Sequence, residues 1–400
     1  MEDVYYKKTI DFFHAGQTLK FHVSQDLFSS HQVDVGTARL LRSLDSTRPF
    51  HKILDLGCGY GPLGLTLKKL YPESRVHLVD RDALAVLYTR QNATLNHIAD
   101  VCVYGSLGYD EVQERDFDLI ISNIPGKAGE KVIAGLLRDA CHFLKPDGLV
   151  AIVVVAALEA TVTPILSVPD IEIVFQETRS GHAIFHYRFS EAYRAIRPPY
   201  TNGFAAGLYH RDAVTITTGP LTFPMQTARG LPEFDGLSYH SRLLIEGLLT
   251  LRDTPFNRVL VFNPGQGHIP VALWQIVRPE AIVLMDRDLL SLQYARHNLI
   301  QNGCPASRIT TAHQVDLASQ SADQTVDLIA GILREEEGPA AAEWLVQQAA
   351  AQLTPGGWLW LVAGSTPITR LEKAIHSGKL WRIEKRKRDK GLSLLALRRK

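Results

Sequence analysis

Lys52-Ile53-Leu54-Asp55-Leu56-Gly57-Cys58-Gly59-Tyr60-Gly61 reads as a short apolar strand that runs into a glycine loop and, over 63–70, into an amphipathic helix. Outward from it the alternation continues, with strand over 75–79, helix over 83–96, strand over 117–122, helix over 131–144 and strand over 148–155. Such alternation predicts an α/β fold, a mostly parallel sheet with helices on both faces, whose ligands sit at the carboxyl ends of the strands. The loop lies at one such end. Its glycines permit a tight turn and let backbone N–H groups approach a ligand with no Cβ in the way. Asp80 closes the next strand, where a carboxylate can accept hydrogen bonds from both hydroxyls of a ribose. The same residue could instead cap the following helix. Gly59-x-Gly61-x-x-Gly64 also satisfies the dinucleotide fingerprint, so the loop alone does not choose the cofactor.

The pattern occurs twice. Residues 80–96 align with 286–302 at an offset of 206, with eight identities at Asp80, Arg81, Asp82, Leu84, Tyr88, Arg90, Asn92 and Asn96. Gly59 and Gly61 fall on Gly265 and Gly267, Asp118-Leu119-Ile120 on Asp327-Leu328-Ile329, and Pro146 with Gly148 on Pro355 with Gly357. The chain therefore reads as two tandem Rossmann-like domains, 1–190 and 205–400, joined by a linker over 191–204 where Arg197-Pro198-Pro199-Tyr200-Thr201-Asn202-Gly203 cannot continue helix or sheet.

Length and composition agree with this division. Four hundred residues, 46% apolar and 21% charged, are too many for one ordinary core. The longest apolar run, 149–158, is too short to span a bilayer and the N-terminus lacks the apolar stretch of a signal peptide, so no membrane association is expected. Cys58, Cys102, Cys141 and Cys304 are scattered, with no Cys-x-x-Cys pair, and the histidines form no recognisable ligand set. A reducing, cytoplasmic compartment and no metal are expected.

Asp55 inside the turn, with Gly57 two residues later, resembles motif I of class I S-adenosyl-L-methionine (SAM) methyltransferases. Phe117-Asp118-Leu119-Ile120-Ile121-Ser122-Asn123-Ile124-Pro125-Gly126 resembles motif IV of the members that act on planar amino groups, where Asn-Pro-Pro precedes an aromatic residue. The segment from Leu27-Phe28-Ser29 to Asp34-Val35-Gly36-Thr37 is similar to the stretch ahead of motif I in bacterial ribosomal RNA guanine-N2 methyltransferases. With Leu144-Lys145-Pro146-Asp147-Gly148-Leu149 and His182-Ala183-Ile184-Phe185-His186-Tyr187-Arg188 in the places of that family's last strands, the similarity covers about 19–189. The resemblance implies SAM as cofactor, held by Asp55, Gly57, Gly59, Gly61, Asp80, Arg81 and Ser106, and RNA, ribosomal in that family, as substrate. It implies catalysis at Asn123, Ile124 and Pro125. A purine amine is a poor nucleophile because its lone pair is delocalised. Asn123 Oδ1 and the Ile124 carbonyl would accept its two N–H groups and favour a pyramidal nitrogen. The alternative for Asn123 is a strand-to-helix turn with Pro125 at the first helical position. Three departures from the pattern stand out: Ile124 for the first proline, Gly126 for the aromatic, and Leu107 for the polar residue after the third strand. The family also pairs a working with a degenerate copy, the working one second; here it would be first.

The second copy has Val261 at the Asp55 position, Asn263 for Gly57, a proline at 264, and Gly331-Ile332-Leu333-Arg334-Glu335 in place of motif IV. It is expected to serve as a scaffold or substrate-binding domain. Arg382, Lys385, Arg386, Lys387, Arg388 and Lys390 would neutralise several phosphates if they share a face. The expected function is N-methylation of ribosomal RNA at guanine N2. Three alternatives stay open: methylation of protein glutamine or another small planar amine, a nicotinamide-dependent oxidoreductase, and a non-catalytic RNA-binding protein. The oligomeric state is not legible.

Overall fold

The strand Lys52–Leu56 is buried on both faces, Ile53, Leu54 and Asp55 being wholly inaccessible, which is why it reads as a continuous apolar run. In the computed structural model, which describes residues 3–45, 49–317, 325–376 and 378–400, it belongs to a unit formed by Tyr6–Tyr209. The other unit is His210–Lys400 with the chain's first five residues.

The first unit runs β1 (Tyr6–His14), β2 (Gln17–Ser24), α1 (Val35–Ser43), β3 (Lys52–Leu56), α2 (Pro62–Leu70), β4 (Arg75–Asp80), α3 (Ala83–Leu95), β5 (Val101–Gly105), β6 (Phe117–Asn123), α4 (Glu130–Asp139), β7 (Leu144–Val155), α5 (Glu159–Leu166), β8 (Ile171–Arg179), β9 (His182–Phe189) and α6 (Glu191–Ile196). Seven strands form one sheet in the order β5-β4-β3-β6-β7-β9-β8. The five from β5 to β7 are parallel, and β9 is antiparallel to both of its neighbours. The strand order reverses between β3 and β6, so the crevice at their carboxyl ends is the topological switch point. On one face Leu54 and Leu56 pack with Ile133 and Leu137 of α4 and Val162 and Leu166 of α5. On the other lie α2 and α3.

The predicted helix 131–144 ends at Asp139, followed by a 3-10 turn, and β7 starts at Leu144 rather than 148. Leu144 pairs with Phe117 before the register shifts to Leu119 with Leu149, because Pro146 has no N–H to give the ladder. The hairpin β1–β2 carries no signal used above. It turns at Ala15-Gly16, both at positive φ (46° and 79°), and docks on α3 through two asparagines. Asn92 accepts from His22 N (2.7 Å) and donates to His22 O (3.0 Å) and Tyr60 O (2.9 Å). Asn96 brackets Lys20 N and O in the same way (2.8 and 2.6 Å).

The second unit repeats this plan with β10 (His210–Thr218), β11 (Leu221–Ala228), α7 (Tyr239–Leu248), β12 (Arg258–Phe262), α8 (His268–Val277), β13 (Ala281–Asp286), α9 (Leu289–Gln301), β14 (Ile309–His313), β15 (Val326–Ile332), α10 (Gly338–Gln352), β16 (Leu353–Gly364), α11 (Ser365–His376), β17 (Trp381–Asp389) and β18 (Leu392–Arg399). Its sheet order is β14-β13-β12-β15-β16-β18-β17, strand for strand that of the first. β4 and β13 lie 206 residues apart, β6 and β15 lie 209 apart, so the offset of the repeat is not constant. The repeated residues explain themselves. Asn298 brackets Gln226 N and O (2.8 and 2.9 Å) and Asn302 donates to Pro224 O (2.9 Å). Asp118 accepts from His51 N and Lys52 N (2.9 and 2.6 Å), and Asp327 from Asn257 N and Arg258 N (2.8 and 3.1 Å).

The segment 191–204 is folded onto the first unit. Arg194 of α6 donates to the carbonyls of Cys141, Leu144 and Lys145 (2.8–2.9 Å), Arg197 pairs with Asp139 (2.7 Å), and Tyr200 OH donates to Asp110 (2.6 Å).

Candidate active site

The loop after β3 is built by backbone conformation. Gly57, Gly59 and Gly61 have φ of 78°, 56° and 93°, a region that costs other L-residues about 1–2 kcal/mol each. A Cβ on Gly57 or Gly59 would meet nothing within 4 Å, so both face open space. Five of the loop's N–H groups, including all of its glycines', are used internally. Gly57 N and Cys58 N donate to Val79 O (2.9 Å each), Gly59 N to Asp80 Oδ2 (2.9 Å), Gly61 N to Cys58 O (2.9 Å) and Gly64 N to Asp55 Oδ2 (2.8 Å). What the glycines provide is therefore room, not donors. Asp55 lies under the loop, wholly inaccessible, with Oδ1 lacking a hydrogen-bond partner, and burial pushes its carboxyl up to about 7.

Asp80, at the end of β4, is only partly buried. Its carboxyl is raised to about 6, chiefly by desolvation and against the pull of bonds from Asp82 N and Gly59 N. It is not the cap of α3: Asp82 fills that position, accepting from Leu84 N at 2.9 Å. Two bonds leave a carboxylate further lone pairs for a ligand. Arg81 is half-buried beside it. Ser106 directly follows β5. Its N–H donates to Asp80 O (2.9 Å), while its hydroxyl donates to Gly108 O (2.8 Å) and accepts from Glu111 N (3.2 Å), an arrangement internal to its own loop. Leu107 is buried, and its N–H donates to Glu111 Oε2 (2.7 Å).

Asn123 ends β6 next to the loop's strand. Its Nδ2 donates to Asp34 Oδ2 (3.1 Å) and Thr37 Oγ1 (3.0 Å). A carboxylate only accepts, so the amide nitrogen must face Asp34. Asn123 is half-buried, and its Oδ1 has no hydrogen-bond partner among the described residues. Asp34 also caps α1 through Thr37 N (3.0 Å) and has His182 Nε2 at 3.7 Å. Asp34, Thr37 and His182 were not assigned roles from sequence: they lie 89, 86 and 59 residues from Asn123, and only the fold brings them together. The Ile124 side chain is buried in the core, and its N–H donates to Val153 O (2.9 Å). Its carbonyl lies beyond the last ladder pair, Asn123 with Val153. Pro125 and Gly126 are exposed in a turn, and α4 begins only at Glu130, so Pro125 is not at a first helical position.

The second unit keeps the loop's shape and fills its space. Asn263, Gly265 and Gly267 have φ of 48°, 55° and 100°, close to their counterparts. The Asn263 side chain occupies the side that Gly57 leaves open and donates to Ile332 O (2.9 Å). Arg334, at the Pro125 position, forms an ion pair with Asp286, which also accepts from Ser291 Oγ (2.6 Å) and is almost wholly inaccessible. The carboxylate equivalent to Asp80 thus has a permanent cation.

The basic run does not share a face. It forms β17, where neighbours alternate and the register shifts between Ile383 and Lys385. Arg382 pairs with Glu384, Arg386 with Glu372 and Lys387 with Glu246, so three of the six charges already have carboxylates. Among the described residues no group of His, Cys, Asp or Glu could hold a metal, and no helix is long and apolar enough to cross a membrane.

Residues 18–181 and 227–378 match the family described as methyltransferase small domain. Over 149 residues the chain is 32% identical to the uncharacterized protein YbxB of Bacillus subtilis, covering 37% of this chain and 74% of that protein. It is 39% identical over 140 residues to ribosomal RNA small subunit methyltransferase C of Hahella chejuensis, covering 34% of this chain and 40% of that one. The match thus spans less than half of the second relative. A T. thermophilus 16S rRNA guanine-N2 methyltransferase, solved with AdoMet and guanosine, covers 99% of each chain at a TM-score of 0.67 and 16% identity, a likeness of fold.

Proposed function

The chain belongs to the methyltransferase small domain family, and from that premise we propose that its first unit methylates an exocyclic amine of RNA with SAM, most closely the guanine N2 of ribosomal RNA, in the cytoplasm. The observation that carries this reading is the Asn123 amide, whose nitrogen is held by Asp34 and Thr37 at the end of the strand beside the glycine loop, leaving its oxygen without a partner among the described residues.

The residues present fit SAM better than a dinucleotide. A pyrophosphate requires free N–H donors and positive potential. Here the N–H groups of Gly57, Cys58, Gly59, Gly61 and Gly64 are used internally and two acidic side chains, Asp55 and Asp80, lie beside them. A cation without phosphates suits that environment. Asp80 would accept the ribose hydroxyls, and the open side of Gly57 and Gly59 would admit the cofactor against the backbone. When bound, SAM supplies an electrophilic methyl group. The chain's part is positional: Asn123 Oδ1 accepts one N–H of the amine and the Ile124 carbonyl the other. This localises the nitrogen lone pair and leaves the proton to depart after transfer. No enzyme nucleophile is needed. Family membership removes the oxidoreductase alternative, and the filled loop of the second unit supports a scaffold or substrate-binding role for it.

Calorimetric titration with SAM and with NAD, followed by transfer of labelled methyl to ribosomal RNA, tests the proposal. SAM binding and labelled RNA are expected; NAD binding, or label found only in protein, contradicts it.

A further inference from the structure

Three exposed apolar side chains lie on segments that adjoin Asn123, its partner Asp34 or the glycine loop. Phe28 is 71% exposed, Val35 45% and Val155 46%. Val35 follows Asp34, which holds the amide. Val155 Cγ2 lies 3.7 Å from where a Cβ on Gly126 would stand. Phe28 precedes Ser29, whose carbonyl accepts the hydroxyl of Tyr60 from the glycine loop (3.4 Å). Single exposed apolar residues are ordinary surface; three on segments adjoining one unpartnered polar acceptor have the composition of an apolar site with a polar point.

The segment that carries Phe28 is tied at both ends. Leu27 and Ser30 are buried, and Lys7 Nζ donates to Ser30 Oγ (3.1 Å). Ser29 sits in the left-handed region (φ 61°), with its hydroxyl on Gln32 O (2.9 Å), and Asp34 caps α1. The anchored loop holds the Phe28 ring exposed in one place, where it is available to a flat ligand. Beyond Asn123 the chain has no ring of its own, only Gly126. A base taken out of its stack needs a flat apolar face to replace its lost neighbours.

Building on the proposed amine methylation, we infer that Phe28 is the stacking face for the target base and that Val35 and Val155 complete its rim. The acceptor is then a nucleobase of an unpaired or flipped-out nucleotide, not a side-chain carboxamide, which has no ring to stack. Phe28 determines specificity and Asn123 remains the group that touches the reacting amine.

The test compares wild type, Phe28→Ala, Phe28→Leu, Phe28→Trp and Asn123→Ala in transfer of labelled methyl from SAM to ribosomal RNA extracted from cells lacking the protein. SAM affinity and thermal midpoint are measured alongside. Phe28→Ala is expected to lower kcat/KM roughly 10- to 100-fold, the scale of one lost base–aromatic stack, with SAM affinity and midpoint unchanged. Phe28→Trp should stay within a few fold of wild type, and Phe28→Leu should resemble Phe28→Ala. Full activity in Phe28→Ala or Phe28→Leu while Asn123→Ala is inactive overturns this inference and leaves amine methylation standing. Full activity in Asn123→Ala as well overturns both.

Discussion

Asp80 and Asp55 make similar carboxylates do different work. Asp80 is partly exposed and anchors Gly59, so Asp80→Ala removes both the proposed ribose contact and a loop tether. SAM affinity should fall about 10- to 100-fold, from roughly 1.5–3 kcal/mol of lost charged hydrogen bonding, while the chain stays folded. Unchanged affinity by calorimetry would remove Asp80 from the site. Asp55 tests the electrostatics. Its folded-state pKa of about 7 lies above the ordinary 3.8, so the folded protein binds this proton more tightly than the unfolded chain. The resulting stabilisation is full below the ordinary value and lost as pH rises through about 7. Asp55→Asn should therefore flatten the fall in thermal midpoint between pH 5 and 8, by the equivalent of about 2–4 kcal/mol. Parallel midpoint curves for variant and wild type would show that Asp55 ionises at its ordinary pKa. At this scale the sequence was informative where chemistry is local. Asp55, the glycines, Asp80 and Asn123 were legible, because each lies at a strand end predicted from apolar runs. Asp34 and Thr37 were not, since nothing in the sequence encodes a contact across separations of 89 and 86 residues. The bonds of the Ser106 hydroxyl within its own loop were not legible either, since they depend on how that loop folds back.

Among the elements, the hairpin β1–β2 depends on α3 through side-chain amides that imitate a strand neighbour. Removing Asn92 strips three partners, one of them the Tyr60 carbonyl of the glycine loop. Asn92→Ala should lower stability by about 2–4 kcal/mol, since buried backbone groups would be left unpaired, and should weaken SAM binding through the loop. Differential scanning calorimetry and SAM titration check this; a change under about 0.5 kcal/mol would mean that the amide bridge adds little. Alternation of strand and helix made β3, β4, β6 and β7 legible, while β5, half-buried along its length, was given no range. The hairpins were missed because β1 and β10 pair with only one neighbour and lack a continuous apolar run. The basic run was legible as charge but not as surface: strand alternation and a register shift distribute it over two faces.

At the scale of the molecule, the duplication preserved what holds each unit together and altered what the first uses for chemistry. The paired scaffold residues Asn92 and Asn298, or Asp118 and Asp327, make equivalent bonds. Where the first unit has open space over Gly57 and a partly exposed Asp80, the second has the Asn263 side chain and the Arg334–Asp286 pair. Calorimetry of the whole chain should accordingly give one SAM per chain; two equivalent sites would contradict the filled loop. The central claim, methylation of an RNA amine through Asn123, is tested most directly by mass mapping of methylated nucleosides in ribosomal RNA. Cells lacking the protein would be complemented with wild type or with Asn123→Ala, whose kcat should be lower by roughly 10²- to 10³-fold. The account predicts one N2-methylguanosine position that is empty without the protein, filled by wild type and left empty by the variant. An unchanged nucleoside map in the cells lacking the protein, or full restoration by Asn123→Ala, would contradict it.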